Sequence, residues 1–336
     1  MSARVVYVLA TLLGAIAARR ACAEDPRGLV EGDRALLDLL SAAQVTGQAS
    51  FPHGALAAKV HSTNVGGALD EAVDVVANVV WSGSSTYWKY RQTVLLTGHA
   101  PEITEGEMIE TRDLRFHYWP DRKLAQIVSD GLGGYRPELR LRPDRWFVVG
   151  VGSRHWSDLF DVGTAQRPPK VAFDKLEVSS DGDEIVVRRF LDGSFLRITA
   201  SLKAGGNVVE YEDTTTAEDP MWFRGAYEWK KLPDKRFWLQ HHEYAMAVNG
   251  DKSHPNKTYE LTVTDFDPEP AIAADRFRFE SLNLPVGTQI QEVSKAGTKR
   301  YRQGQKTPTR QELLDELADG LRGKGFAAKP EAEEKP

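Results

Sequence analysis

Hydrophobic and polar positions alternate in short runs through most of this chain, and turn residues separate the runs. From about Val73 to Val263 the pattern predicts a series of β-strands. VDVVANVVW and TYWKYRQTVLL flank Ser82-Gly83-Ser84-Ser85, and MIETRDLRFHYW and KLAQIVSD flank Pro120-Asp121-Arg122. EIVVRRFL and SFLRITASL flank Asp192-Gly193, a favoured two-residue hairpin turn. SFLRITASL and NVVEYEDTTT flank Gly205-Gly206. FRGAYEWKKL and RFWLQHHEYAMAV flank Pro233-Asp234-Lys235, and TYELTVTDF is a further strand. Short turns make successive strands antiparallel neighbours, so the expected topology is a meander without repeats.

Helical spacing occurs outside this region. Glu31 to Ala43 places Leu36, Leu37, Leu39 and Leu40 on or near one face, with Gly47 as a stop. A short helix is expected near Trp156–Phe160, after a strand through Trp146–Val149. Thr309 to Leu321 reads as an amphipathic helix with Thr309 as N-cap and Glu312 completing a capping box. The segment from Phe326 onward is charged and predicted to be disordered.

The first residues read differently from the rest. Arg4 precedes an apolar run from Val5 to Ala18, and Ala21-Cys22-Ala23 supplies the small-residue pattern of a cleavage site. These features predict a signal peptide over 1–23, a mature chain from near Glu24, and a periplasmic or exported protein. Arg19-Arg20 stands between the run and the cleavage site, which leaves an uncleaved anchor as the other reading. It also removes the aliphatic residue that a lipobox around Cys22 requires. Cys22 is the sole cysteine, so the mature chain has no disulfide, thiolate metal site or cysteine nucleophile. The whole chain carries 43 basic and 48 acidic residues. Without the three arginines of 1–23 it is more acidic still, which argues against a nucleic-acid partner.

The end of the strand region, YELTVTDFDPEPAIAADRFRFESLNLPVGTQIQEV (259–293), joins a strand ending in D-F-D to D-R-F-R-F and then to L-P-x-G-T. With the leader-like segment, the leucine-rich helix and the long meander, this resembles the outer-membrane lipoprotein carrier proteins, the LolA-like family. VVWSGSSTYWKYR and YEWKKLPDKRFWLQ are similar to hairpins of that group. The resemblance implies a mainly β fold over 24–300: a half-open antiparallel barrel around a few short helices, with a C-terminal helix and tail over 301–336. It implies a concave apolar face that takes a lipid or lipoprotein acyl chain. No catalytic constellation can be read from the residues, so no catalytic residue and no cofactor are assigned, and a monomer with peripheral contact with a membrane is expected. Inserts relative to a plain carrier are expected around 97–107 and 130–170.

Several residues are candidates for chemistry. Phe223, Tyr227 and Trp229 share one strand face, and Trp238, Tyr244 and Met246 share another. A hairpin would bring these rows together as a ligand-lining wall or as ordinary core packing. His241 and Glu243 share a face, and with His254 they would suit a metal. An envelope hydrolase or metal-dependent enzyme built on that region is therefore an alternative. A structural scaffold whose barrel is filled by its own helices is another. Gly131-Leu132-Gly133-Gly134 lacks the lysine and helix of a phosphate loop, and Ser153, His155 and Ser157 lie in no nucleophile elbow. Asn256-Lys257-Thr258 fits the pattern of a glycosylation acceptor, which matters only on a eukaryotic secretory route. In the aromatic-basic stretch at 80–94, alternation sends Tyr87, Lys89 and Arg91 to one side and Trp88, Tyr90 and Gln92 to the other.

Overall fold

The computed structural model describes residues 30–66, 70–129, 146, 155–163, 167–215, 221–248, 251–294 and 297–304. The first strand, β1 (Val30–Gly32), leads into helix α1 (Arg34–Ala49). A first meander follows: β2 (His53–Asn64), β3 (Glu71–Ser82), β4 (Ser85–Leu96), β5 (Glu102–Glu110), β6 (Leu114–Trp119) and β7 (Leu124–Ser129). Helix α2 (Trp156–Phe160) precedes a second meander. Its strands are β8 (Lys175–Asp181), β9 (Glu184–Leu191), β10 (Ser194–Ser201), β11 (Asn207–Thr214), β12 (Met221–Lys231), β13 (Phe237–Val248) and β14 (Lys257–Asp267). A 3-10 turn (Phe279–Leu282) and the hairpin β15 (Gln289–Ser294) and β16 (Gly297–Arg302) complete the described residues.

These strands form one curved, unclosed sheet of mainly β character, as the alternating pattern predicts. The second meander is joined to the first where β14 pairs antiparallel with β2, from Lys257↔Asn64 to Asp267↔Ala55. Two pairings are parallel and depart from the expected meander: β1 beside β8, and β15 beside β7. Each is made by a strand that returns from a distant part of the chain, which local turn signals do not encode.

Helix α1 starts later than expected, with Asp33 as N-cap accepting from the Ala35 N–H, and it runs through Gly47 to Ala49. Tertiary contacts outweigh the glycine there. Leu37 and Leu40 are fully buried, and Gln44 Nε2 donates to the Gly206 carbonyl at 2.8 Å, tying the helix to the β10–β11 turn. The expected strand MIETRDLRFHYW is broken. Thr111–Asp113 turns the chain between β5 and β6, with the Thr111 N–H and Oγ1 both donating to the Leu114 carbonyl. Residues 102–107 of the expected insert are part of β5. The helix expected near Trp156–Phe160 is present as α2, and Trp146 is helical. Residues 147–149, the leader at 1–23, the glycine run at 131–134 and the C-terminal helix at 309–321 lie outside the described residues.

One continuous core links the helices to the inner face of the sheet. It takes Leu37 and Leu40 from α1, Trp156, Leu159 and Phe160 from α2, Val178 from β8, and Trp88 and Met108 from β4 and β5. A second cluster lies on the outer face, where Tyr87, Ile109, Tyr118, Ala125 and Ile290 pack against Leu282 and the partly buried Phe277 and Phe279. The Arg276 guanidinium lies 3.6 Å over the Tyr87 ring, and the Tyr87 hydroxyl donates to Glu107 at 2.8 Å. Burial and that carboxylate push the Tyr87 hydroxyl pKa well up.

Candidate functional site: the concave face

Strand alternation fixes which side chains reach the concave face. In β12 and β13 the register pairs Phe223 with Met246, Gly225 with Tyr244 and Tyr227 with His242. A bulge between Glu228 and Trp229 then sets Trp229 opposite Leu239 and Lys230 opposite Trp238. The two aromatic rows expected from the sequence are therefore adjacent. Their environments differ. Phe223, Trp229 and Met246 are partly exposed at the margin of the core, whereas Tyr227, Trp238 and Tyr244 are buried.

Trp238 belongs to a packed end. Its ring stacks on Phe266 with centroids 5.2 Å apart, and Phe266 also meets Phe51, Trp81 and Trp146 at 5.1, 6.2 and 5.7 Å. The Trp81 Nε1–H donates to the Phe51 carbonyl at 3.0 Å, so the polar edge of that indole is satisfied inside the cluster. Trp229 Nε1–H donates to the Val208 carbonyl at 2.7 Å, which fixes its ring against β11.

Toward the other end of the strands the inner face becomes more exposed. Along β3, Val79 and Ala77 are buried, Val75 is nearly so, and Val73 is partly exposed. In the same direction β12 passes from buried Tyr227 to half-exposed Phe223, and β13 from buried His242 to half-exposed Met246. Leu196 of β10 joins the same partly buried margin. The concave face thus has an aromatic, closed end and a half-exposed apolar end.

Two polar centres are embedded in this face. His242 is fully buried, 4.3 Å from the Tyr227 ring and 5.6 Å from Tyr259. Tyr211 lies across Gly225, where a Cβ would approach the ring to 2.1 Å, so glycine is required for the ring to lie there. On the opposite wall the Tyr90 hydroxyl and His117 Nε2 hydrogen-bond at 2.6 Å, and the His117 ring lies tilted against Trp119 with centroids 3.6 Å apart. Burial first, and then the Arg115 charge, push the His117 pKa down to about 3. Arg115 is itself 3.3 Å from Glu110. The Tyr90 ring covers Gly106 as Tyr211 covers Gly225.

The metal reading of the His241 region is not supported by the geometry. His241 and Glu243 meet at 3.2 Å on the outer face, and His241 Nδ1 is engaged by Thr262. His254 sits in the β13–β14 loop, bonded to Asp251 and Ser253. Among the described residues no three His, Cys, Asp or Glu side chains gather as a metal set. Sequence reasoning placed His241 and Glu243 correctly on one face. It missed His117 and Arg115, whose strand is distant in sequence from β12 and β13 and carries no motif.

No family model matches the chain, and no curated protein matches it. Among solved structures it is similar to a DUF1329 family protein from Desulfovibrio piger, with a TM-score of 0.35 and 8% identity. That likeness covers 73% of this chain and 98% of the other.

Proposed function

We propose that this is an exported cell-envelope protein that binds a lipid or another hydrophobic ligand on the concave face of its half-barrel, without catalysis, as a LolA-like carrier would. One observation carries the reading: the inner face is sealed by aromatics at one end and ends in half-exposed Val73, Leu196, Phe223 and Met246 at the other. An apolar ligand reaching that margin would cover surface that the chain leaves open to water. The leader-like run before Glu24 supports export, and the acidic balance supports a non-nucleic-acid ligand.

Native mass spectrometry of protein purified from its own envelope, with fluorescent fatty-acid uptake in solution, tests the reading. Bound lipid and saturable uptake are expected. Phe223→Gln with Met246→Gln should weaken uptake about a hundredfold or more, since burying each apolar side chain contributes roughly 1.5–3 kcal/mol. Because both residues are only partly buried, the variant should still fold. Neither lipid nor uptake in the wild-type protein would overturn the proposal.

A further inference from the structure

At the end of the strands opposite the half-exposed margin, the C-terminal half of α1 and two turns border a cavity of about 540 Å³. That volume lies in the range of small-molecule sites. One wall is the α1 face from Leu39 to Ser50, and the other is formed by the β10–β11 and β12–β13 turns. Small residues on the helix, Ala42, Ala43 and Gly47, leave the space open. Gly205 and Gly206 stand at positive φ, 71° and 83°. A Cβ on Gly205 would lie 2.9 Å from the Phe237 ring, and one on Gly206 2.9 Å from the Ala43 Cβ. Glycine therefore lets the β10–β11 turn close against both Phe237 and α1. The walls are accessible: Ala42, Thr46 and Lys235 are exposed, and Leu39, Ala43 and Phe237 are half-buried.

The charges on the rim are mostly satisfied among themselves. Asp234 is the one carboxylate among the described lining residues, and Arg236 holds it, with Nε and Nη2 each 2.7 Å away. Arg236 Nη1 donates to the Ser50 carbonyl at 2.7 Å, and its Nη2 also lies 3.7 Å from Glu269, which is outside the lining. Ser50 in turn caps the helix end, its N–H and Oγ donating to the Gly47 and Thr46 carbonyls. Lys235 differs. Its ammonium makes no ion pair or hydrogen bond among the described residues. With Asp234 and Arg236 offsetting each other, the lining keeps one positive charge in a chain of net charge −5.

We propose that this cavity is a second binding site, for a small amphiphile with a single carboxylate. The apolar part lies on Leu39, Ala42, Ala43 and Phe237, and the carboxylate meets the Lys235 ammonium. One positive charge matches a monoanion, whereas a phosphate monoester at neutral pH brings about −1.5 to −2. The site goes beyond the lipid-binding reading, since it lies at the other end of the strands and uses neither Phe223 nor Met246. Lys235 also stands at φ 75°, in the left-handed region that disfavours a lysine Cβ. Glycine relieves that cost. Replacing Lys235 by glycine should therefore move stability and binding in opposite directions, which a plain turn residue would not do.

The experiment titrates octanoate and octanol, the same chain with and without charge, into isotope-labelled protein at neutral pH and follows the amide NMR shifts. Both should shift Gly47, Gly205 and Lys235, and octanoate should bind about tenfold more tightly, the scale of one charge-assisted hydrogen bond. Lys235→Gln should bring octanoate to near parity with octanol and leave the urea midpoint unchanged. Lys235→Gly should lose the same preference and raise the midpoint. Ala42→Phe fills the groove from an exposed helix position and should remove the shifts from both ligands. Phe223→Gln with Met246→Gln should keep them, so this inference and lipid binding on the concave face fail separately. Shifts confined to other residues, equal binding of acid and alcohol by the wild type, tighter binding of octyl phosphate than of octanoate, or a preference that survives in Lys235→Gln overturns the inference.

Discussion

His117 shows how much a single side chain can depend on its surroundings. In sequence it is one histidine between two aromatic residues of a strand. In the structure it is buried, bonded to the Tyr90 hydroxyl, set against Trp119 and close to Arg115, and its burial first and then the Arg115 charge favour the neutral ring. Its pKa in the folded protein, about 3, lies below its ordinary value of 6.5. Between those values the unfolded chain binds the extra proton, so His117 makes stability fall as the pH drops, by at most about 1.4 kcal/mol per pH unit. His117→Gln should keep a partner for Tyr90 and flatten the urea-stability profile between pH 6.5 and 4 relative to wild type. Identical pH slopes would show that His117 titrates in the folded state as it does in solvent. The aromatics nearby were easier to read. Alternation alone put Trp88 and Tyr90 on one side and Tyr87 on the other, because a strand has a fixed period of two. It could not say that Tyr87 would be covered by Arg276 from a segment far along the chain.

At the level of elements, hairpins were the most legible feature. Asp192-Gly193, with φ of 49° and 77°, is a turn whose backbone only a few residue types adopt easily, and the sequence supplies them. The break between β5 and β6 was not legible, because Thr-Arg-Asp is a weaker turn signal and the hydrophobic alternation continues across it. Helix α1 was visible from its leucines, yet its end was not, since packing carries it past Gly47. Its anchoring is tertiary: Arg34 donates to the Gly163 carbonyl at 2.8 Å beyond α2, and Gln44 to Gly206. Leu37 is fully buried between the helix and the sheet. Leu37→Ala should cost about 2–5 kcal/mol, measured by urea unfolding with an unchanged m-value. A loss under 1 kcal/mol would mean that α1 packs too loosely to fill that side of the half-barrel.

Across the whole molecule, the pairing of β14 with β2 decides the architecture. It fuses two meanders into one sheet and lets residues from both contribute to one core. Urea unfolding followed by far-UV circular dichroism and by tryptophan fluorescence should therefore give coincident transitions. Two separated transitions would show that the meanders fold independently. The sequence by itself determined the mainly β class, most strand and turn positions, the face assignment of Phe223, Tyr227, Tyr244 and Met246, and the acidic charge balance. These follow from local periodicity, turn stereochemistry and composition. Only the tertiary structure decided that β1 and β15 return as parallel strands, that Trp238 belongs to a packed aromatic end, and that His117 and Arg115 share the concave face with the aromatic rows. It also set the α1 face from Leu39 to Ser50 and the β10–β11 and β12–β13 turns around one cavity. Those outcomes depend on which distant segments pair, and the free energy of that choice comes from burying side chains that are far apart in the chain.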